Sequence, residues 1–155
     1  MRIFLTGCQG YLGGVLGPRL RAAGHDVVGL DVGWFAQRRF GPQPEPIPCR
    51  TIDIRDVTSE DLQGFDAVLH LAALSNDPLG ELDPDLTMDI NHRASVRLAR
   101  LARDAGVSRF VFSSSCSTYG GAGEDVVNEE SPTNPVTHYA RSKVLTDQDV
   151  AALAD

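Results

Sequence analysis

The feature that most constrains this sequence is a set of three glycines directly after a short apolar segment. Residues 2–6 are predicted to form a buried strand, and they run into Gly7, Gly10 and Gly13 in the pattern G-x-x-G-x-x-G. A helix is predicted next, because apolar residues follow at helical spacing at Leu12, Val15, Leu16 and Leu20. Glycines let an anionic group approach the backbone, and the helix start offers it free amides and a positive dipole.

An acidic residue ends the next predicted strand. This strand covers residues 26–31, and its last residue, Asp31, lies 18 positions beyond Gly13. A carboxylate at this place can accept hydrogen bonds from the ribose of a bound dinucleotide and would repel a 2′-phosphate. The sequence therefore predicts a dinucleotide site that prefers NAD to NADP. Arg38 and Arg39 are the argument for NADP.

The rest of the chain alternates predicted strands with helices or loops. Further strands are predicted at residues 50–54, 67–73 and 109–114, a long helix after Pro84, and a last helix from about Thr137 or His138. This alternation predicts an α/β fold, a Rossmann-type doubly wound parallel sheet of about five strands. At 155 residues, one domain is expected.

The helix after Pro84 has two contrasting faces. Its apolar stripe is expected to face the core and consists of Ile90, Ala94, Leu98, Leu101 and Ala105. The other face carries four arginines, which favours a solvated surface but leaves a helix-to-helix dimer contact open. Asn91 falls in the inward first turns, where it is expected to bond to backbone and distort the helix.

Tyr139 and Lys143 lie one turn apart in the last predicted helix, so their side chains share a face. A phenol can exchange protons near neutrality if a fixed positive charge stabilises its anion, and Lys143 supplies that charge. The same spacing is common on solvated helix faces, so the pair needs support from the rest of the chain. Residues 113–115, a run of serines, supply a candidate hydroxyl upstream.

Composition narrows the class of protein. Apolar residues make up 42% and charged residues 23%, which are globular values, and no apolar run approaches the ~20 residues of a membrane span. The net charge of −7 argues against nucleic-acid or anionic-membrane partners. The three cysteines lack metal-type spacing and are expected to be free thiols. Because the first strand begins at Arg2, no targeting peptide is expected and the cytoplasm is the predicted location.

Together the motifs strongly resemble the extended short-chain dehydrogenase/reductase family, the NAD-dependent nucleotide-sugar epimerases and dehydratases typified by UDP-galactose 4-epimerase. The resemblance runs along essentially the whole chain. The matching residues are Thr6-Gly7-x-x-Gly10-x-x-Gly13, Asp31, Asp53-Ile54-Arg55-Asp56, His70-Leu71-Ala72-Ala73, Asn91, Ser113-Ser114-Ser115-x-x-x-Tyr119-Gly120, Pro135 and Tyr139-x-x-x-Lys143.

The resemblance implies a role for each of these positions. The residues implied to cradle the pyrophosphate are Gly7, Gly10, Tyr11, Leu12 and Gly13. Asp31 would hold the adenosine ribose, and Asp53 and Ile54 would contact adenine. The path to the nicotinamide ribose would be lined by Leu71, Ala72, Ala73 and Ser75. Ser115, Tyr139 and Lys143 would be catalytic, with Tyr139 as acid and base and Lys143 also binding the ribose. His70 is expected to be a satisfied core residue, and no metal is expected.

By the same resemblance the protein would be an NAD-dependent epimerase or dehydratase acting on a nucleotide sugar by transient hydride transfer. In the family, the sheet continues into further strands and a carboxyl-terminal substrate domain. Residues 1–155 are therefore expected to be an incomplete NAD(P)-binding Rossmann domain, inactive alone. The alternatives are a dinucleotide-binding module without catalysis and an NAD(P)H-dependent carbonyl reductase of the same family. The sequence leaves open a homodimer through the helices around 85–105 and 137–154.

Overall fold

The computed structural model of the chain describes residues 1–36, 45–121 and 126–154. Arg38 and Arg39 lie outside the described residues, as do Pro42 and Pro44. The chain divides into two compact units, which are described separately below. The first comprises Met1–Ala72 and Arg97–Ser113, and the second comprises Ala73–Val96 and Ser114–Asp155.

The first unit contains a parallel sheet, as predicted. Among the described residues its strands are β1 (Arg2–Thr6), β2 (Asp26–Asp31), β3 (Cys49–Thr51), β4 (Ala67–His70) and β5 (Arg109–Phe112). Their order is β3-β2-β1-β4-β5, and every pair is parallel. Because successive strands are added outward in opposite directions from β1 and β4, the topological switch point lies at the carboxyl ends of these two strands. The fold is Rossmann-like, and the predicted class is confirmed.

Residues 7–13, which carry the three glycines, form the glycine turn and lead into helix α1 (Tyr11–Ala22). The helix packs against β1 and β2. Its buried residues are Gly13 and Gly17, whereas Leu12 and Val15 of the apolar set are exposed. The reason is close approach, because a Cβ on Gly17 would lie 2.9 Å from Ile47 Cδ1 and 3.3 Å from Leu5 Cδ2. Leu16 and Leu20 of the apolar set do pack against the core of the sheet, and Gly17 adds a close contact that apolar periodicity does not reveal.

Three strand boundaries differ from the predicted ones. β3 ends at Thr51, because the Asp53 side chain accepts a hydrogen bond from Arg55 N (2.9 Å) and caps a 3-10 turn at Ile54–Asp56. β4 ends at His70, and β5 ends at Phe112. A second 3-10 turn lies at Glu60–Leu62. Side-chain hydrogen bonds to backbone accompany the early ends of β3, at Asp53, and of β4, at Thr6.

The long helix predicted after Pro84 consists of three segments. These are α3 (Pro84–Met88), a π-helical turn (Asp89–Arg93) and α4 (Ala94–Asp104), and α3 is preceded by α2 (Asp77–Leu82). The π turn contains Asn91, so the predicted distortion is confirmed. The last helix, α5 (His138–Ala151), begins where the sequence predicts and packs in the second unit against α2, α3 and the π turn. Within the described ranges, no helix is long and apolar enough to cross a membrane.

Candidate functional site

The glycine turn of the first unit leaves no room for a side chain at Gly7 or Gly13. Gly7 has a φ of +70°, and a Cβ on it would lie 2.8 Å from Ala72 N. A Cβ on Gly13 would lie 2.1 Å from Gly7 O. Gly10 precedes the twelve-residue helix α1 as its N-cap and contributes no side-chain cap, so the first amides of the helix remain available to an anion. The contact of this turn with a pyrophosphate stays a prediction.

Thr6 connects the two strand ends at the switch point. Its Oγ1 accepts hydrogen bonds from Leu71 N (3.2 Å) and Ala72 N (3.1 Å) and lies 2.7 Å from His70 Nδ1. Thr6 and His70 are both fully buried. His70 is therefore a satisfied core residue, as predicted. The part that Thr6 plays in holding residues 71–72 was missed, although a hydroxyl directly before the first glycine was visible in the sequence.

Asp31 lies beside the glycine turn. Its Oδ2 accepts a hydrogen bond from Gln9 N (2.9 Å) and its Oδ1 accepts one from Gly33 N (2.9 Å). A carboxylate offers about four acceptor positions, so each oxygen can still receive a ribose hydroxyl. The arrangement fits the predicted ribose contact, and it also shows that Asp31 shapes the turn itself.

The two residues predicted to contact adenine differ in their surroundings. The Asp53 carboxylate pairs with Arg55 (2.8 Å), and hydrogen bonds from the Arg55 side chain hold the pKa of Asp53 below its usual range. The Ile54 side chain is buried. Their contact with a nucleotide stays a prediction.

In the second unit, Tyr139 and Lys143 form a buried pair on α5. They are 7% and 4% exposed, and Lys143 Nζ lies 5.7 Å from the centre of the Tyr139 ring. Burial lowers the pKa of Lys143 to about 8, and the Asp147 carboxylate partly opposes this shift. At pH 7 the ammonium form still predominates, at roughly 90%. These residues therefore do not belong to a solvated helix face, and the lysine brings a positive charge to the phenol.

Asp77 connects the start of α5 to the turn that carries Ser115. Thr137 caps α5 by accepting a hydrogen bond from Ala140 N (3.0 Å), and its hydroxyl donates to Asp77 Oδ1. Ser117 Oγ donates to Asp77 Oδ2 (3.2 Å), and Ser117 N donates to Ser115 Oγ (3.2 Å). One carboxylate thus holds the segments of two predicted catalytic residues. Sequence reasoning missed it, and the only signal was an acid before a proline in a turn-rich loop.

Helix α2 packs against α5 at Tyr139. A Cβ on Gly80 would lie 2.9 Å from Tyr139 Cβ, so glycine allows the backbone of α2 to touch this residue. Glu81 accepts a hydrogen bond from His138 N (2.6 Å) and lies 3.0 Å from His138 Nδ1. These contacts were also missed, because they join positions 57 residues apart in sequence.

Asn91 holds the loop that follows β4. Its Oδ1 accepts a hydrogen bond from Leu74 N (2.8 Å), and its Nδ2 donates to Leu74 O (3.0 Å) and to Ser142 Oγ (3.3 Å). It is 1% exposed. The predicted bond to backbone is confirmed, and it positions the segment between the predicted cofactor residues Ala73 and Ser75.

Replacing Asn91 with leucine should lower the free energy of unfolding by about 3 kcal/mol, because it leaves the buried Leu74 amide and carbonyl without partners. Urea unfolding followed by circular dichroism measures the change. Asn134→Leu, at an exposed position of the same unit, is the matched control and should change stability by less than about 0.5 kcal/mol. Equal losses in both variants would contradict the assigned role.

Within the part of the chain that the structure describes, no three His, Cys, Asp or Glu side chains cluster as metal ligands do.

The fold and these side chains define a Rossmann-like protein with a glycine turn suited to a dinucleotide and a buried Tyr/Lys pair. Comparison with known proteins gives the family. Residues 3–155 match the NAD-dependent epimerase/dehydratase family, and the chain belongs to it. NAD is the cofactor of this family, so the predicted family and its cofactor are confirmed.

Individual relatives agree with this assignment. UDP-glucose 4-epimerase of Streptomyces lividans is 33% identical over 149 residues, which are 94% of this chain and 45% of that protein. An NAD-dependent NDP-hexosamine 5,6-dehydratase involved in tunicamycin biosynthesis superposes with a TM-score of 0.87 at 30% identity, over 98% of this chain and 49% of that one. UDP-glucose-4-epimerase from Stenotrophomonas maltophila, solved with NAD and formylated UDP-arabinopyranose, gives 0.86 at 31% identity, over 99% and 48%. The chain spans about half the length of these relatives.

Proposed function

We propose that this chain is the cofactor-binding part of an NAD-dependent enzyme that epimerises or dehydrates a nucleotide sugar. The observation that carries the proposal is the buried pair of Tyr139 and Lys143. A buried ammonium beside a phenol costs stability and has a use in proton transfer. The two solved relatives are a dehydratase and an epimerase, so both reactions stay within the proposal.

In the proposed site, the residues of the first unit bind the cofactor. The bare backbone at Gly7 and Gly13 and the free amides at the start of α1 would receive the pyrophosphate. Asp31 would accept hydrogen bonds from the adenosine ribose. When bound, NAD would supply a hydride acceptor for oxidation of a sugar alcohol.

The residues of the second unit would handle the proton. Tyr139, as phenolate, would remove the proton from the sugar hydroxyl, and the Lys143 ammonium would stabilise that anion. The Ser115 hydroxyl would donate a hydrogen bond to the same sugar oxygen. Tyr139 would then return the proton when the keto sugar is reduced.

A titration with NAD⁺ and NADP⁺ tests the cofactor site, with the fluorescence of Trp34 as a reporter three residues from Asp31. We expect NAD⁺ to bind more tightly than NADP⁺. Asp31→Ala should weaken NAD⁺ roughly ten- to hundredfold, because it removes charged acceptors from the ribose and from Gln9 N. Asp56→Ala makes the same change in charge at an exposed position and should leave NAD⁺ binding unchanged. Tighter binding of NADP⁺ by the unaltered chain would contradict the proposed preference and would implicate Arg38 and Arg39.

A binding module without catalysis is the weaker alternative, since such a module has no need of a buried acid/base pair. We propose that these residues alone do not turn over a sugar, because the relatives are about twice as long. An assay of UDP-glucose epimerisation with added NAD⁺ addresses this point. The proposed homodimer through residues 85–105 and 137–154 and the cytoplasmic location stay predictions.

A further inference from the structure

Two thiols of the first unit lie in contact although they are far apart in sequence. Cys8 belongs to the glycine turn and Cys49 begins β3, 41 positions later. Their sulfurs are 2.9 Å apart, with either able to donate a hydrogen bond to the other. Cys8 is 2% exposed, whereas Cys49 is only partly buried. The sequence predicts three unrelated thiols, and the fold brings two of them together.

Gly29 creates the space for this contact. The parallel register of β2 and β3 places Gly29 beside Cys49, and a Cβ on Gly29 would lie 2.4 Å from Cys8 Sγ. Any other residue at this position would displace the Cys8 side chain. A disulfide bond is about 2.05 Å long, so the two sulfurs need to approach by only about 0.9 Å.

We propose that Cys8 and Cys49 form an oxidative modification site, a dithiol that closes to an intramolecular disulfide in the presence of a peroxide. Cys49 is the more exposed thiol and reacts first. Its thiolate attacks one peroxide oxygen, which breaks the O–O bond, forms a sulfenic acid and releases water after protonation. The Cys8 sulfur then attacks the Cys49 sulfur, so that an S–S bond forms and the S–O bond of the sulfenic acid breaks. The Cys8 thiol proton passes to the departing hydroxyl, which leaves as a second water. Two electrons pass from the two sulfurs to the peroxide, and the protein loses two hydrogens.

The surroundings of Cys8 assign it the second step. Burial, reinforced by the neighbouring Cys49 sulfur, raises the pKa of the Cys8 thiol far above its usual range. Cys8 is therefore a poor first nucleophile but stands in contact with the sulfur it must attack.

The disulfide would act on the glycine turn. Cys8 N donates to Leu30 O (3.4 Å), and the Cα of Cys8 lies 2.7 Å from where a Cβ of Gly13 would stand. Drawing the Cys8 side chain towards β3 therefore shifts a turn that has no free space. We expect the oxidised chain to bind NAD⁺ at least about fivefold more weakly than the reduced chain. This expectation rests on the proposed function.

Oxidation of the full chain with hydrogen peroxide, followed by alkylation under denaturing conditions and mass analysis, tests the site. We expect a loss of about 2 Da that does not depend on protein concentration, a peptide crosslinked between Cys8 and Cys49, and reversal by dithiothreitol. Cys116→Ser should behave in the same way, and Cys49→Ser should lose the reaction. If both thiols stay alkylatable, or if only Cys116 crosslinks, the proposal is overturned.

NAD⁺ titrations of the reduced and oxidised forms test the coupling separately. A weaker affinity after oxidation, restored by dithiothreitol, supports it. Affinities within twofold of each other overturn the coupling. If the reduced chain binds no NAD⁺, the proposed function fails, whereas the mass analysis still decides the disulfide.

Discussion

Replacing Lys143 with methionine is expected to stabilise the folded chain at pH 7 by about 2–3 kcal/mol. Burial lowers the pKa of Lys143 from 10.5 to about 8, so folding takes a charged group out of water at neutral pH. A difference of about 2.5 pKa units corresponds to roughly 3 kcal/mol, and methionine fills a similar volume without a charge. The Asp147 carboxylate partly opposes the shift, and the pKa of about 8 already includes its effect.

The same pKa fixes how the effect depends on pH. Below about pH 8 the lysine is protonated in both folded and unfolded chains, so the destabilisation is fully present. Between about pH 8 and 10.5 the unfolded chain binds more protons than the folded chain, and the stability contributed at this position therefore rises with pH. The difference between the variant and the unaltered chain should shrink across this window. Urea unfolding at pH 7, 8, 9 and 10 measures it.

Arg141→Met is the matched control. It removes a positive charge from the same helix at an exposed position and should change stability by less than about 0.5 kcal/mol at every pH. Lys143 is the only lysine among the 14 basic residues of the chain, so an NMR titration of its side-chain amine needs no assignment by mutagenesis. If Lys143→Met is less stable than the unaltered chain at pH 7, the buried ammonium is not a burden on the fold.

The use of one lysine among thirteen arginines has a physical reason. An arginine keeps its charge at any pH a protein experiences, whereas the pKa of a lysine moves readily on burial. A lysine near the Tyr139 phenol can hold its charge at neutral pH and remain compact enough for a buried position. The cost in stability is consistent with a residue retained for chemistry rather than for folding.

The sequence predicts the local parts of this structure well. The strand, glycine turn, helix and second strand are recognisable because each depends on residues within a few positions, and the positive φ of Gly24 matches its place at the end of α1. The distortion at Asn91 is also a local consequence, since a polar residue in an inward helix turn must find a partner.

Contacts between distant segments could not be predicted in this way. Asp77 reaches Ser117 and Thr137 across 40 and 60 positions, and the Cys8–Cys49 contact depends on the register of β3 against Gly29. The end of β4 and the packing of α1 also depend on residues that are distant in sequence. The Thr6 hydroxyl accepts hydrogen bonds from the backbone of residues 71 and 72, and Gly17 lets α1 approach the side chains of Ile47 and Leu5. In each case a side chain from elsewhere in the fold overrides the local pattern.

Gly13→Ala is expected to abolish NAD⁺ binding, with a loss of affinity of roughly a hundredfold or more, and to lower the free energy of unfolding by about 3 kcal/mol. The new Cβ would lie 2.1 Å from Gly7 O and 2.7 Å from the Cα of Cys8. Both are backbone atoms, so no rotation of a side chain relieves the clash. The turn cannot retreat either, because Gly7 N donates to Leu30 O (2.8 Å) and Gly7 already stands against Ala72 N.

Two glycine variants separate the effect on stability from the effect on binding. A Cβ on Gly10 meets only Gly7 O, at 3.3 Å, and a Cβ on Gly121 meets nothing within 4 Å. Gly121→Ala should therefore preserve both stability and NAD⁺ affinity. Gly10→Ala should cost little stability but should weaken NAD⁺ if the pyrophosphate approaches bare backbone at this position. Thermal unfolding and NAD⁺ titration of the three variants give the full comparison. If Gly13→Ala has the unfolding temperature and the NAD⁺ affinity of the unaltered chain, the turn can accommodate a Cβ at this position and the prediction is wrong.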